Sequence, residues 1–275
     1  MSYRVVAFDL DGTLLGSNRE IRADSVRAIQ TLRDQGVKVV LVTGRHHVAV
    51  RAYHHQLQLD TPVICCNGTY LYDFINDRVI QGAPIAQSDA LQIVQAMDYD
   101  EINMLMYVSD AMTYEHLDDH LIEMQQWAET VAPELRPVMR QVDFKQVIES
   151  GDTIWKFVAS GADPAQIQQA VAQLQTQLDL SCEWSWYNRV DLSAPGNTKG
   201  FRLEQLLKDW QIDPKHVIAF GDNGNDVSMI KLAGQGVAMG NAVDELKQAA
   251  DWVTAGNNDN GIAAALEHFF PEFFE

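Results

Sequence analysis

At 275 residues, 47% apolar and 21% charged, the sequence has the length of about two globular domains and the composition of neither a disordered nor a fibrous chain. Its formal net charge of −18 repels nucleic acid phosphates and anionic membrane surfaces, which sets both aside as partners. A small phosphorylated molecule would be repelled as well, unless a cation or a local positive pocket offsets the field.

The chain opens on an apolar run, "YRVVAF", that halts at Asp9 and Asp11 within "FDLDGT". These acids interrupt the run too early for a secretory leader, and no apolar stretch approaches the ~20 residues that span a bilayer, so a soluble, cytoplasmic protein is expected. Val26, Ile29 and Leu32 then recur at helical spacing, with Gly36 a natural stop. "VKVVLV" before Thr43, "PVICC" before Asn67 and, much later, "HVIAF" before Gly221 repeat the first run: rich in Val and Ile, without alternation, as in strands covered on both faces. His46, His47, His54 and His55 are placed on the helix after "VTGR", where adjacent side chains diverge by ~100°, so they are not expected to share a metal. Cys65, Cys66 and Cys182 form neither a disulfide framework nor a CxxC zinc site, and read as small apolar filler in a reduced compartment.

From about Pro84 to about Asn188 the pattern changes. "INMLMYV", "TIWKFVA" and "CEWSWYNRV" read as strands, the last with Cys182, Trp184 and Trp186 on one face and Glu183, Ser185, Tyr187 and Arg189 on the other, which suits an antiparallel sheet with one solvated side. Trp155, Trp184 and Trp186 are expected to pack within this region, and Lys156, Tyr187 and Arg189 to face a substrate. Between the strands, Asp163 and Pro164 start a helix carrying the stripe Ile167, Val171, Leu174 and Leu178. Beyond it, Leu203, Leu206, Leu207 and Trp210 mark another helix that "IDP" ends, and "GQGVAMG" lacks dinucleotide-loop spacing and reads as turn, strand and turn. The fold class expected is α/β: a doubly wound, mainly parallel, Rossmann-like sheet from 1–83 and 189–275, with an inserted α+β domain at 84–188.

In such sheets ligands bind beyond the carboxyl ends of the strands. Those ends carry Asp9 and Asp11, then Thr43, Gly44 and Arg45, then Asn67 and Gly68, then Asp222, Asn225 and Asp226 of "GDNGND". Each alone could be a turn or cap residue; their coincidence at four strand ends points to one site. Two carboxylates ~4 Å apart repel by about 4 kcal/mol even at an effective dielectric of ~20, so a cation is required. Oxygen donors without His or Cys favour Mg²⁺. Asp9 is then placed to attack phosphorus, and Asp11 to protonate the leaving alcohol and later activate water, which requires its pKa to lie above the ordinary ~3.9. The Thr43 hydroxyl, the Gly44 amide and the Lys199 ammonium of "NTKGF" would hold the phosphoryl oxygens, with Lys199 at a helix start that also favours anions.

"DLDGT", "VTGR", "NTKG" and "GDNGND", in this order, resemble the four motifs of the haloacid dehalogenase-like phosphatases. The long insertion between the second and third motifs, with "CNG" after the third strand, resembles the Cof-type subfamily, whose members act on sugar phosphates and pyridoxal phosphate. The resemblance implies that Asp9 is nucleophile and metal ligand, that Asp11 is the acid/base with its main-chain carbonyl on the metal, and that Asp222 is the third protein ligand. It further implies that Asn225 and the Leu10 amide bind phosphate, that Asp226 orients a metal-bound water or Lys199, that Arg45 and Asn67 stand behind them, and that the inserted domain is a cap selecting substrates. On overall likeness, not on any one motif, the expected substrate is pyridoxal 5′-phosphate, with small sugar phosphates as the alternative. An aspartyl-phosphate signalling receiver is a rival of another class, but receivers are about half this length; an idle phosphate-binding module would not need Asp11.

Overall fold

In a computed structural model that describes residues 3–97 and 101–274, apart from the side chains of His120 and Trp186, the opening apolar run is a strand, Val5–Phe8, buried on both faces. It lies within a five-stranded parallel sheet in the order Trp252–Val253, Gln235–Ala238, Val217–Gly221, Val5–Phe8, Lys38–Leu41. Successive side chains of a strand point to opposite faces, and both faces here are apolar. Val5 and Ala7 pack with Leu203, Leu206, Leu207, Met229 and Ile230 of two helices, Lys199–Asp209 and Val227–Leu232. On the other face Phe8 stacks on Phe220 with ring centroids 4.9 Å apart. The helices Ala23–Asp34 and Gly261–Phe269, which pack on one another, supply the second helical layer. The helix expected from Val26, Ile29 and Leu32 ends as read, with Gly36 at φ +81°. Val63–Cys65 continues the main sheet only through one parallel bridge, Val42 to Ile64; its ladder is an antiparallel one with Tyr70–Asp73.

Contacts divide the chain into two units: Met1–Gly44, Tyr53–Ile80 and Thr198–Glu275 in the first, Arg45–Ala52 and Gln81–Asn197 in the second. The boundary differs from the expected 84–188. Arg189–Ser193 is a strand of the second unit, paired with Lys156–Gly161 and with Ser181–Trp186, so that unit runs on to Asn197. "CEWSWYNRV" is accordingly not one strand but parts of two. The chain turns at Tyr187 and Asn188, where the Asn188 amide donates to the Gly161 carbonyl at 2.9 Å.

The second unit's sheet has the order Ser181–Trp186, Arg189–Ser193, Lys156–Gly161, Ile102–Tyr107, Met112–Tyr114, Met139–Gln141, antiparallel except for the last pair. Met106, Phe157, Ala159, Val190 and Leu192 join Ile93, Phe144, Ile148, Ile167 and Leu174 from three helices in one core. The Asp163 carboxylate caps the third of these as expected, accepting from the Ala165 amide at 2.9 Å. The centre of the opposite sheet face is covered, with Tyr107, Lys156, Asp191 and Ser193 buried there, whereas of the residues expected on a solvated side Tyr187 is exposed and Glu183, Ser185 and Arg189 are half-buried. Trp155 is buried, but Trp184 lies on the edge strand and is 39% exposed; the Trp186 side chain lies outside the described residues. No helix among the described residues is long and apolar enough to cross a membrane.

Part of the cover over that face is the Arg45–Ala52 segment. The His46 ring meets Tyr107 edge-on with centroids 5.6 Å apart, and its Nε2 donates to the Val108 carbonyl at 2.7 Å while its Nδ1 accepts from the Val48 amide at 3.3 Å. That pair of bonds fits only the neutral ring, because a proton on Nδ1 would point at the Val48 N–H. Burial accordingly pushes the His46 pKa from 6.5 down to about 4. Its contribution to stability is complete above about pH 6.5 and is lost as the pH falls toward about 4. We expect this group to remove roughly 3 kcal/mol of unfolding free energy across that window, measured by urea denaturation. His46→Gln, which keeps a donor for Val108 but does not titrate, should flatten that share of the slope; identical pH profiles would exclude His46 as its source.

Candidate active site

The residues at the strand ends of the first unit meet around one buried ammonium. Asp9 follows Val5–Phe8 directly, and its amide donates to the Phe220 carbonyl at 3.0 Å, extending the ladder by one bond. Lys199 begins the Lys199–Asp209 helix, whose N-terminus Thr198 caps by accepting from the Phe201 amide at 3.0 Å. The Lys199 Nζ is fully buried and lies 2.7 Å from Asp9 Oδ1 and 2.6 Å from Asp226 Oδ1. The other oxygen of Asp226 accepts from the amides of Asp222 and Asn223 at 2.9 and 3.0 Å. Asp222 is held in turn by the Thr13 hydroxyl, which donates to its Oδ1 at 3.0 Å.

Two glycines make this convergence possible. Gly12 sits at φ +81°, and a Cβ there would fall 2.3 Å from Asp222 Oδ2. A Cβ on Gly221 would fall 2.5 Å from that of Asp226. Neither position has room for a side chain.

The site carries an excess of negative charge that a cation would offset. Three carboxylates, from Asp9, Asp222 and Asp226, offer oxygens within 4.8 Å of one another around a single ammonium, which leaves two negative charges over. Burial, then Asp226 and Asp222, push the Asp9 carboxyl well above its ordinary range, against the opposing pull of Lys199. Burial and Asp226 push Asp222 up to about 6, and its carboxyl faces that of Asp9 closely enough to hydrogen-bond to it. Two carboxyls so placed must share a proton or a cation. For Lys199 burial alone would lower the pKa, but the Asp226 and Asp9 carboxylates outweigh it and hold the group above its ordinary value. Asp226 already accepts from Lys199 and two amides, so Asp9 and Asp222 are the side chains with more oxygen capacity left for a metal. Their hard oxygen donors fit a divalent cation such as Mg²⁺.

The other expected residues distribute as follows. Asp11 is exposed and outside the carboxylate group, so of its donors only the carbonyl remains for the metal role expected of it. Leu10 and Thr43 are buried, and the Asn67 amide donates to the Thr43 carbonyl at 3.0 Å. A Cβ on Gly44 would lie 2.9 Å from Asn67 Oδ1, which places Gly44 against that side chain. Asn225 Nδ2 donates to the same oxygen at 3.1 Å, while Asn225 Oδ1 is buried without a hydrogen-bond partner among the described residues. Arg45 belongs to the second unit, where its guanidinium lies 5.7 Å over the Trp127 ring and donates to the Ala49 carbonyl at 3.4 Å.

Lys156, expected to face a substrate, is buried and ion-paired with Asp191 at 2.7 Å, because the sheet face it shares with Tyr107 and Ser193 is covered. Tyr187 is 68% exposed at the hairpin turn and Arg189 half-buried beside it. The four histidines do not lie on one helix. His46 caps a short 3-10 turn that begins at His47, whereas His54 and His55 sit in Arg51–Gln56, with His54 bonding the Thr61 carbonyl at 2.9 Å. Two residues escaped sequence reasoning: Thr13, masked by its place in a turn motif, and the buried Arg202, which reads as a surface helix residue.

Comparison with known proteins identifies the scaffold. The family model for haloacid dehalogenase-like hydrolases matches residues 6–266. The chain belongs to this family. It is 42% identical over 264 residues to the pyridoxal phosphate phosphatase YbhA of Escherichia coli, spanning 96% of this chain and 97% of that one. It is 29% identical to the 5-amino-6-(5-phospho-D-ribitylamino)uracil phosphatase YitU of Bacillus subtilis, spanning 97% of each. A crystal structure of a haloacid dehalogenase-like hydrolase from Bacteroides thetaiotaomicron superposes with a TM-score of 0.85 at 25% identity, covering 98% of this chain and 100% of that one.

This haloacid dehalogenase-like hydrolase is thus a phosphatase, and the receiver and idle-module alternatives fall. In such an enzyme, Gly12→Ala would displace Asp222 from the position that Thr13 and the Asp226 brace define. We expect kcat/KM for phosphate release to drop by about a hundredfold or more, since a displacement of ~1 Å at a reacting centre has that effect. Unchanged kcat/KM would show that the Gly12–Asp222 approach has no part in the chemistry.

Proposed function

We propose that the protein is a Mg²⁺-dependent hydrolase of small phosphate monoesters, acting through a phosphoryl group carried on Asp9. The observation that supports this most is the buried Asp9 carboxylate, fixed by Lys199 on one side and crowded by Asp222 on the other. In this reading the Asp9 carboxylate attacks phosphorus as the bond to the leaving alcohol breaks, and the Asp11 carboxyl gives its proton to that alcohol. Asp11, now a carboxylate, takes a proton from the water that attacks the aspartyl-phosphate, releasing orthophosphate and restoring Asp9. Lys199, Thr43, Asn225 and the Leu10 and Gly44 amides hold the phosphoryl oxygens, and Asp226 fixes Lys199. A Mg²⁺ held by Asp9, Asp222 and the Asp11 carbonyl would neutralise charge on the transferring group.

Pyridoxal 5′-phosphate is the substrate we infer, on the strength of the 42% identity to the pyridoxal phosphate phosphatase along nearly the whole chain. A phosphorylated sugar or polyol is the second reading, supported by the relative named for a phosphoribityl compound. Selection between them is assigned to the second unit, the inserted α+β domain. The small metabolite is the partner proposed; nucleic acid and membrane are not.

Phosphate release from a panel of phosphorylated metabolites tests both levels. Pyridoxal 5′-phosphate should show the highest kcat/KM, a chelator should abolish release and Mg²⁺ restore it, and Asp9→Asn should be folded and inactive. Hexose phosphates far above pyridoxal 5′-phosphate would overturn the substrate assignment alone. Full activity in D9N would overturn the mechanism.

A further inference from the structure

The turn after Val63–Cys65 has three consecutive residues in the left-handed region, Cys66 at φ +50°, Asn67 at +56° and Gly68 at +95°. Glycine enters that region freely and asparagine tolerates it, but a cysteine does not, and runs of such residues persist only where surroundings impose them. Here the surroundings are identifiable. Buried Arg202 donates from Nε to the Gly68 carbonyl at 2.9 Å and from Nη2 to the Thr69 carbonyl at 3.2 Å. Gly68 abuts the start of the Lys199–Asp209 helix so closely that a Cβ would fall 2.1 Å from the Thr198 carbonyl oxygen. The Thr69 hydroxyl and amide close the turn on the Cys66 carbonyl at 2.7 and 3.2 Å.

What this arrangement delivers is the Asn67 side chain. Its Oδ1 stands against Gly44 and accepts from Asn225 Nδ2 at 3.1 Å. A carboxamide nitrogen carries two hydrogens, and an acceptor at one of them fixes the direction of the other. Were the Asn225 amide reversed, its oxygen would face the Asn67 oxygen, and no hydrogen would remain for an anion.

We propose that Asn67 is a positioning residue for phosphate binding: its Oδ1 takes one hydrogen of Asn225 Nδ2 and thereby presents the other to a phosphoryl oxygen. The left-handed turn, clamped by Arg202, is the support that places this acceptor. The inference rests on the reading that Asn225 binds the phosphoryl group, and the test separates the two.

Inhibition of the Mg²⁺-loaded enzyme by orthophosphate is measured for the parent, Asn67→Gly, Asn225→Ala and the double variant. Each single change is expected to weaken inhibition about tenfold, and the double variant no further, because both remove the same hydrogen bond to phosphate. The melting temperature of N67G should not fall, since glycine adopts φ +56° without strain. Weakened inhibition in N225A with none in N67G overturns the positioning role, as does a double variant whose losses multiply. Unchanged inhibition in N225A removes Asn225 from phosphate binding, and this inference with it. A second measurement needs no folded variant at position 67: in the native protein, orthophosphate should shift one of the two Asn225 side-chain amide proton signals and leave the other bonded to Asn67. Absence of any shift overturns the proposal.

Discussion

An ammonium ion without contact to water is stable only among anions, and Lys199 has two, from Asp9 and Asp226. Burying an ion costs several kcal/mol before partners are counted, so removing both carboxylates would leave a charge that the surroundings cannot hold, whereas either one alone still balances it. This one requirement ties together segments far apart in sequence. It fixes the start of the Lys199–Asp209 helix against the end of Val5–Phe8, and it fixes the loop after Val217–Gly221 through Asp226. Asp226 passes the constraint on, since its second oxygen orders the amides of Asp222 and Asn223. The position of Asp222 therefore follows from the position of Lys199.

The arrangement is unbalanced by design of its donors. One cation against three carboxylates leaves Asp9 and Asp222 pressed together, each raised above its ordinary pKa by burial. A divalent ion held by both carboxylates would offset this repulsion and favour an ionised Asp9. The second unit uses a related device with a different balance: Lys156 meets the Asp191 carboxylate and lies 4.8 Å over the Tyr107 ring. That pair is neutral in sum and makes no demand for a metal. The difference between a structural pair and a reactive cluster is thus one of stoichiometry, since both are buried Lys–Asp contacts.

Much of this was legible in the sequence. Non-alternating Val and Ile runs identified the buried strands, three of them parallel in the main sheet, and acids at their ends marked where the carboxylates of Asp9, Asp222 and Asp226 gather. Reading failed where a property is set by tertiary cover. Lys156 was expected to face a substrate, but packing by Arg45–Ala52 and its neighbours covers the sheet face on which it pairs with Asp191. Trp184 has the pattern of a core residue but sits on an edge strand. The hairpin turn at Tyr187 and Asn188 carries no glycine or proline, so one strand was read where two exist. Arg202 and Thr13 act through backbone and side-chain partners more than 100 positions away, for which a single sequence gives no signal.

The central claim is that the charge balance around Lys199 makes Asp9 the group that receives the phosphoryl. The most direct measurement is to quench the enzyme during turnover with Mg²⁺ and substrate, reduce with borohydride, and locate the modified residue by peptide mass spectrometry. Reduction confined to the carboxyl of Asp9, and absent when substrate is withheld, is the result expected. Steady turnover with no reducible acyl-phosphate at Asp9, or with one at another carboxylate, would contradict it.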